Sequence, residues 1–382
     1  MRKQNKLTKL PVRFFLEGKI SKLPQMLTAR KELNSIPDYI PGKSIDEIRE
    51  KYKLKHVIKL ASNENPLGVS PIAKAVYKKC AEKLHLYPRG SAPELVKKLA
   101  AKWKVKEENL IVGNGSDEIL DLAAKAYLDK NDYAVGANST FSLYSSVTKA
   151  TGAKYETFPL ENFYYPLENM LNFKKTKIIF ICNPNNPTGT YHPNRVIFNF
   201  LKKVSKDVLI VLDMAYREFT REKEPPLRKW IELFPNLLCT RTFSKLYGLA
   251  ALRIGYGIAS EEVIKTLKKI KLPFNSSYPA QMAATAALDD YAFVEKSLKL
   301  NEAERTRLTQ NLQNSGFEVL PSEANFICVK FGKQAAQIVE RLESKGMVIR
   351  LLGSFGMPEW VRITVGTIRE NKKLLEFIAN AD

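Results

Sequence analysis

From about residue 57 the chain alternates short apolar runs with stretches of roughly 10 to 15 residues in which apolar positions recur with helical spacing. The apolar runs are Asn109–Val112, Tyr133–Val135, Lys177–Cys182, Val208–Asp213, Leu237–Thr240 and Arg253–Ile258. Several are apolar at successive positions, which suits strands covered by helices on both faces, whereas a one-sided sheet would alternate. The pattern predicts an α/β fold, a three-layer sandwich around a mostly parallel sheet. After Pro279 the character changes. One long helical stretch is expected to run to about Asn314, with Met282, Ala286, Val294 and Leu298 as its buried stripe. Strand-like Asn325–Val329, a helix near Ala335–Ser344, strand-like Met347–Arg350 and Trp360–Val365 and a terminal helix follow, a set too small for more than an α+β unit. The expected division is a basic extension over 1–35, a large domain over 67–279, and a small domain made of 36–66 with 280–382.

Composition narrows the classes. With 382 residues, 45% hydrophobic and 26% charged, the chain has material for two cores and is not a disordered polymer. Its four cysteines, Cys80, Cys182, Cys239 and Cys328, form no CxxC pair, which argues against a zinc ribbon or disulfide framework and fits a reducing, cytoplasmic setting. His56, His85 and His192 lack ligand spacing, so no metal is expected. No uncharged apolar run approaches the roughly 18 to 20 residues that cross a bilayer, and a soluble protein is expected.

Lys and Arg number 61 against 40 acids, a net charge of +21, which invites a nucleic-acid partner. The excess is uneven, however. Residues 1–31 hold nine basic groups and one acid, Glu17, while Lys265, Lys268, Lys269, Lys296 and Lys299 fall on the wet faces of predicted helices. No basic-and-aromatic stacking platform or helix-turn-helix pattern accompanies them, so nucleic acid is not the favoured partner. The first 31 residues also lack the apolar centre of a secretory signal.

Ligands of open α/β sheets bind beyond the carboxyl ends of the strands, and four such places carry polar residues. In Val112–Glu118 a strand enters a Gly turn and then a helix, whose free N–H groups suit a phosphate, although a Gly turn with a Ser cap is also ordinary punctuation. Cys182–Gly189 places three Asn, two Pro and a Gly in a loop, where the amides can serve a ligand or their own backbone. Asp213 ends an otherwise apolar strand, where a carboxylate needs a cation, donors or a capping role. Thr240–Arg253 concentrates donors around Lys245, whose amine reacts only when neutral.

In this order, strand-Asp-x-x-Tyr, then Ser-Lys 32 residues after Asp213, then an Arg, with an Asn-Pro loop and a Gly-Ser-Asp turn upstream, the sequence resembles fold-type I pyridoxal-phosphate aminotransferases. It is most similar to the histidinol-phosphate aminotransferase family. The supporting stretches are Ile36–Lys43, Lys59–Gly68, Tyr87-Pro88, Asn185–Gly189, Arg241–Lys245, Val348–Arg350 and Val361–Gly366. The resemblance runs from residue 36 to the end.

The resemblance implies that Lys245 holds pyridoxal phosphate as a Schiff base and shuttles the substrate proton. It implies that Asp213 keeps the pyridine nitrogen protonated, that Tyr216 and Asn186 reach the phenolic oxygen, and that Phe141 stacks on the ring. The cofactor phosphate is expected against Gly115, Ser116, Asp117, Ser244 and Arg253, with Tyr87 reaching it from a second subunit of a homodimer. Tyr39, Asn63, Arg350 and Arg362 are the implied substrate contacts. Family members commonly carry Asp-Glu-Ala-Tyr where this chain has Asp213-Met-Ala-Tyr216, and strand alternation should point Met214 away from the ring. The implied reaction is transamination between histidinol phosphate and 2-oxoglutarate in histidine biosynthesis. Aromatic amino acid transamination shares every cofactor residue, and decarboxylation of a phosphorylated amino acid is a further alternative.

Overall fold

The computed structural model describes residues 28–38, 42–173 and 175–379. The basic segment 1–27 and Tyr39 lie outside the described residues.

The apolar runs become a seven-stranded sheet in the order Leu110–Gly113, Gly255–Ala259, Leu237–Thr242, Leu209–Asp213, Thr176–Cys182, Tyr133–Ala137, Lys154–Phe158. All neighbours are parallel except Gly255–Ala259, which runs antiparallel to both of its partners. Every residue of Leu209–Asp213 and of Leu237–Thr242 is buried, as the unbroken apolar runs require of strands covered on both faces. Helices including Gly115–Tyr127, Leu143–Thr151, Asn194–Leu201 and Glu261–Ile270 surround the sheet, and their apolar faces join it in one large core.

A four-stranded antiparallel sheet in the order Arg350–Leu351, Trp360–Thr364, Phe326–Lys330, Glu318–Val319 has its own core, built from Leu308, Ile327, Val361, Ile363 and Leu374 among others. Leu60 belongs to this second core, and Ile58–Lys59 pairs in parallel with Met347–Val348. The segment before residue 66 is therefore bonded to the end of the chain rather than to its sequence neighbours.

Four points differ from the sequence expectations. The helix expected after Pro279 is two, Tyr278–Ala287 and Tyr291–Asn314. Asp290 breaks it: its carboxylate caps the second helix by accepting from Phe293 N and also accepts from Ser70 Oγ at 2.6 Å. The buried positions are not Met282, Ala286, Val294 and Leu298, which are only partly buried, but Ala283, Ala287, Phe293, Ser297 and Asn301. The polar members of that stripe face the seam between the two cores: Ser297 Oγ accepts from Asn65 and Asn301 donates to Ala324 O. Arg253 lies before its strand, in a left-handed turn with φ 49°. Finally, the edge strand Lys154–Phe158 has no counterpart among the apolar runs, because an edge strand open to water can be polar. The wet-face lysines 265, 268, 269, 296 and 299 are exposed.

Candidate active site

The loops that leave four neighbouring strands open into one cavity of about 550 Å³, large enough for a cofactor with a small substrate. Register brings the polar ends together: Asp213 pairs with Cys182 on one side and with Thr240 on the other. Ser116, Asp117, Phe141, Asn186, Asp213, Tyr216, Ser244, Lys245 and Arg253 border the cavity from the large sheet, and Asn63, Arg350 and Arg362 from the other side. Gly115 lies directly behind Ser116. Tyr87 is elsewhere, 84% exposed and stacked on Phe274 with ring centroids 4.7 Å apart.

Asp213 is buried, and its donors are all neutral. Oδ2 accepts from Tyr144 Oη at 2.7 Å, while Oδ1 accepts from Thr240 Oγ1 at 3.1 Å and from Ala215 N at 3.1 Å. The last bond closes a local turn, and Asp213 does not take the capping role that was its alternative: the next helical turn starts at Arg217. Burial pushes its pKa above the usual carboxylate range, against those hydrogen bonds. A cationic partner reaching it from the cavity would remove the mismatch.

Lys245 follows the strand Leu237–Thr242, and its Nζ donates to Ser62 O at 3.1 Å. Burial, then the charge of Arg362, lower its pKa to about 8. The amine is thus partly neutral near physiological pH, as a nucleophile or base must be. Tyr216 lies beside it, with Nζ 5.7 Å from the ring centroid, and its hydroxyl accepts from Asn63 Nδ2 at 3.0 Å. Asn63 is itself held: its N–H donates to Thr364 Oγ1 at 2.9 Å, and its Oδ1 accepts from the same hydroxyl at 3.1 Å. Its side chain therefore spends its bonds on Tyr216 and Thr364. Asn186 Oδ1 accepts from Arg362, which also donates to Ala61 O at 2.7 Å.

Beside this lies a cradle for an anion. The helix Gly115–Tyr127 starts without a side-chain cap, so N–H groups of its first turn remain for a ligand. Arg253 donates to Ser244 Oγ at 3.3 Å and to Asp117 Oδ2 at 3.0 Å. Gly255 lets the helix start lie close against its strand, since a Cβ there would lie 2.4 Å from Ser116 N. Phe141, at the cavity wall, meets Tyr144 edge to face.

Two further residues, neither among the sequence candidates, support the site. Tyr144 touches Asp213 from the helix Leu143–Thr151, which starts two residues after Phe141. Ser62 holds Lys245 through its carbonyl, which no side-chain pattern reveals. Met214 is buried in the large core and does not border the cavity.

Residues 55–378 match the family model for aminotransferase class I and II. The chain is 41% identical over 352 residues to histidinol-phosphate aminotransferase of Caldicellulosiruptor saccharolyticus, covering 91% of this chain and 98% of that one. The chain belongs to the histidinol-phosphate aminotransferase family. A second member, from Brevibacillus brevis, is 42% identical over 353 residues, covering 91% and 97% of the two chains. Among solved structures, histidinol-phosphate aminotransferase from Sinorhizobium meliloti in complex with pyridoxal-5'-phosphate superposes with a TM-score of 0.85 at 26% identity, covering 92% of this chain and 98% of that one. The fold is accordingly that of the fold-type I enzymes, and the protein is a pyridoxal-phosphate-dependent transferase.

The site fits that cofactor on three counts. The uncapped helix start with Arg253 and Ser244 suits its phosphate. The buried carboxylate with only neutral donors suits its ring nitrogen. An amine with a lowered pKa suits its aldehyde.

Proposed function

We propose that this protein transfers an amino group between histidinol phosphate and 2-oxoglutarate, a step of histidine biosynthesis. The observation that carries the substrate is the pair Arg350 and Arg362 on the cavity wall, two guanidinium groups that suit a phosphate or carboxylate. The named activity of its relatives supports the same reading. Aromatic transamination, the second reading, is not favoured, since the named relatives are histidinol-phosphate aminotransferases.

Bound in the cavity, pyridoxal phosphate supplies an aldehyde for the amino group and a ring that accepts electrons. The chain's own residues supply position and proton movement. Lys245 would anchor the aldehyde and could serve as the base for the proton at the substrate Cα. Asp213 would hold a proton on the ring nitrogen. Tyr216 and Asn186 would serve the phenolic oxygen, and Phe141 would pack on the ring. The side chains of Ser116, Ser244 and Arg253, with the backbone at Gly115 and Asp117, would hold the phosphate, while Asn63 supports Tyr216.

We further propose a cytoplasmic homodimer, with the large domain over 67–279 and the small domain formed by 36–66 and 280–382. Leu84, Leu86, Tyr87, Leu272 and Phe274 are exposed apolar side chains, and the Tyr87–Phe274 stack joins their two segments into one patch. Tyr87 is then available to a second copy's cofactor phosphate. Among the described residues no helix is long and apolar enough to cross a membrane.

Lys245→Ala tests the chemistry: turnover vanishes while circular dichroism and thermal unfolding stay close to the parent. Single-turnover absorbance changes with histidinol phosphate and with phenylalanine test the substrate. A faster and larger change with phenylalanine would overturn the first reading in favour of the second.

A further inference from the structure

Asp213 receives its hydrogen bonds unevenly. Oδ1 already accepts two, from Thr240 and Ala215, whereas Oδ2 accepts one, from Tyr144. A carboxylate oxygen has two good acceptor directions. Oδ2 is therefore the atom with capacity left for a donor arriving from the cavity, and Tyr144 is the group that fixes where this capacity points.

The phenol is itself fixed. Tyr144 is fully buried on the helix Leu143–Thr151. Its ring stacks on Phe180, with centroids 4.9 Å apart and planes 9° from parallel, and stands edge-on to Phe141 at 5.7 Å and 89°. Packing from two sides stops the ring from swinging, so the hydroxyl has one place to be. The Phe141 contact also ties the ring that borders the cavity to the residue that steers the carboxylate.

We infer that Tyr144 is a positioning residue for Asp213: its hydroxyl holds Oδ2 anionic and aimed at the protonated ring nitrogen of the cofactor. The inference rests on the proposed reading of Asp213 as the partner of that nitrogen. Without the phenol, burial would favour the neutral acid, and a neutral acid does not hold a proton on the ring. Of the hydrogen bonds that oppose the effect of burial, Tyr144's is the shortest, 2.7 Å against 3.1 Å for the other two. Burial also pushes the phenol's own pKa far above its ordinary value, so it stays a neutral donor and takes no proton from Asp213.

The test compares Tyr144→Phe and Phe180→Leu with the parent holoenzyme. Tyr144→Phe keeps the ring stack and removes one hydroxyl. Its dissociation constant for pyridoxal phosphate, from absorbance titration of the apoprotein, is expected to rise about tenfold. The pH midpoint of the bound cofactor's visible band is expected to move up by about half a unit or more, because a less protonated ring withdraws fewer electrons from its imine nitrogen. Phe180→Leu loosens the stack and keeps the hydroxyl, so it should lower the unfolding temperature and move the midpoint clearly less than Tyr144→Phe does. An unchanged midpoint in Tyr144→Phe, or an equal shift in both variants, would overturn the inference while leaving the proposed function standing. Failure of the parent protein to bind the cofactor would overturn both.

Discussion

Arg350 and Arg362 stand directly opposite each other on adjacent antiparallel strands, and both border the cavity that contains Lys245. Like charges placed this way repel, and an anion between them relieves the repulsion. Arg362 is further fixed by Ala61 O and Asn186, whereas Arg350 is half-buried and donates to Ser354 at 3.5 Å. The two arginines thus suit different duties, Arg362 close to the cofactor residues and Arg350 toward the far end of the substrate.

Arg350→Gln should therefore separate substrates by their tails. For histidinol phosphate, kcat/KM is expected to fall about tenfold to a hundredfold, the effect of losing a charge-assisted bond to an anion. For phenylalanine, which has no phosphate, it should fall much less. Steady-state kinetics with the two donors measures the difference, and equal losses would count against the phosphate assignment.

The amine of Lys245 carries a pH signature. With a pKa near 8, its neutral fraction falls about tenfold for each unit below that value and is nearly complete above it. Attachment of pyridoxal phosphate to apoprotein, trapped by borohydride and located by peptide mass, should accelerate from pH 6 to 8 and then level off. Arg362→Gln removes a neighbouring positive charge that disfavours the ammonium form. Its midpoint should lie higher, and a midpoint that fell would contradict the electrostatic account.

Gly115 has φ of 76°, and a Cβ there would come within 2.7 Å of Arg253 Nη2. Gly115→Ala should displace that guanidinium as well as strain the turn by about 1 kcal/mol. Cofactor affinity is expected to drop about tenfold. Gly316→Ala provides the comparison, because φ there is 85° but nothing lies within 4 Å of the added methyl. It should cost stability alone, which thermal unfolding and cofactor titration together can separate.

Joining Leu86→Glu with Leu272→Glu places two carboxylates in the exposed apolar patch. Sedimentation should show the parent as a dimer and the double variant as a monomer with little activity, since Tyr87 then has no second site to reach. A parent that sediments as a monomer at micromolar concentration would remove the dimer proposal.

Much of the large sheet was legible because strands buried on both faces, such as Leu209–Asp213, leave unbroken apolar runs. Lys154–Phe158 left none, since water covers what a neighbour would have covered. Residues at the ends of apolar runs, Asp213 and Lys245 above all, were visible because polar groups there need a reason. Tyr144 was not, because its contact with Asp213 depends on how the turn after Ser139 throws its helix back over the sheet. The break at Asp290 was written as a capping residue, yet its decisive partner, Ser70, lies 220 positions away.

The pairing of Ile58–Lys59 with Met347–Val348, and of Asn63 with Thr364 301 positions later, has a consequence for synthesis on the ribosome. The nascent chain can fold its large sheet early, but Asn63 and Arg362 cannot take up their stations until the strand Trp360–Thr364 has emerged. A product that stops short of residue 360 would contain the reactive lysine but lack Arg362 and the Thr364 hydroxyl that fixes Asn63. Catalytic competence thus waits for the strand that carries Arg362 and Thr364.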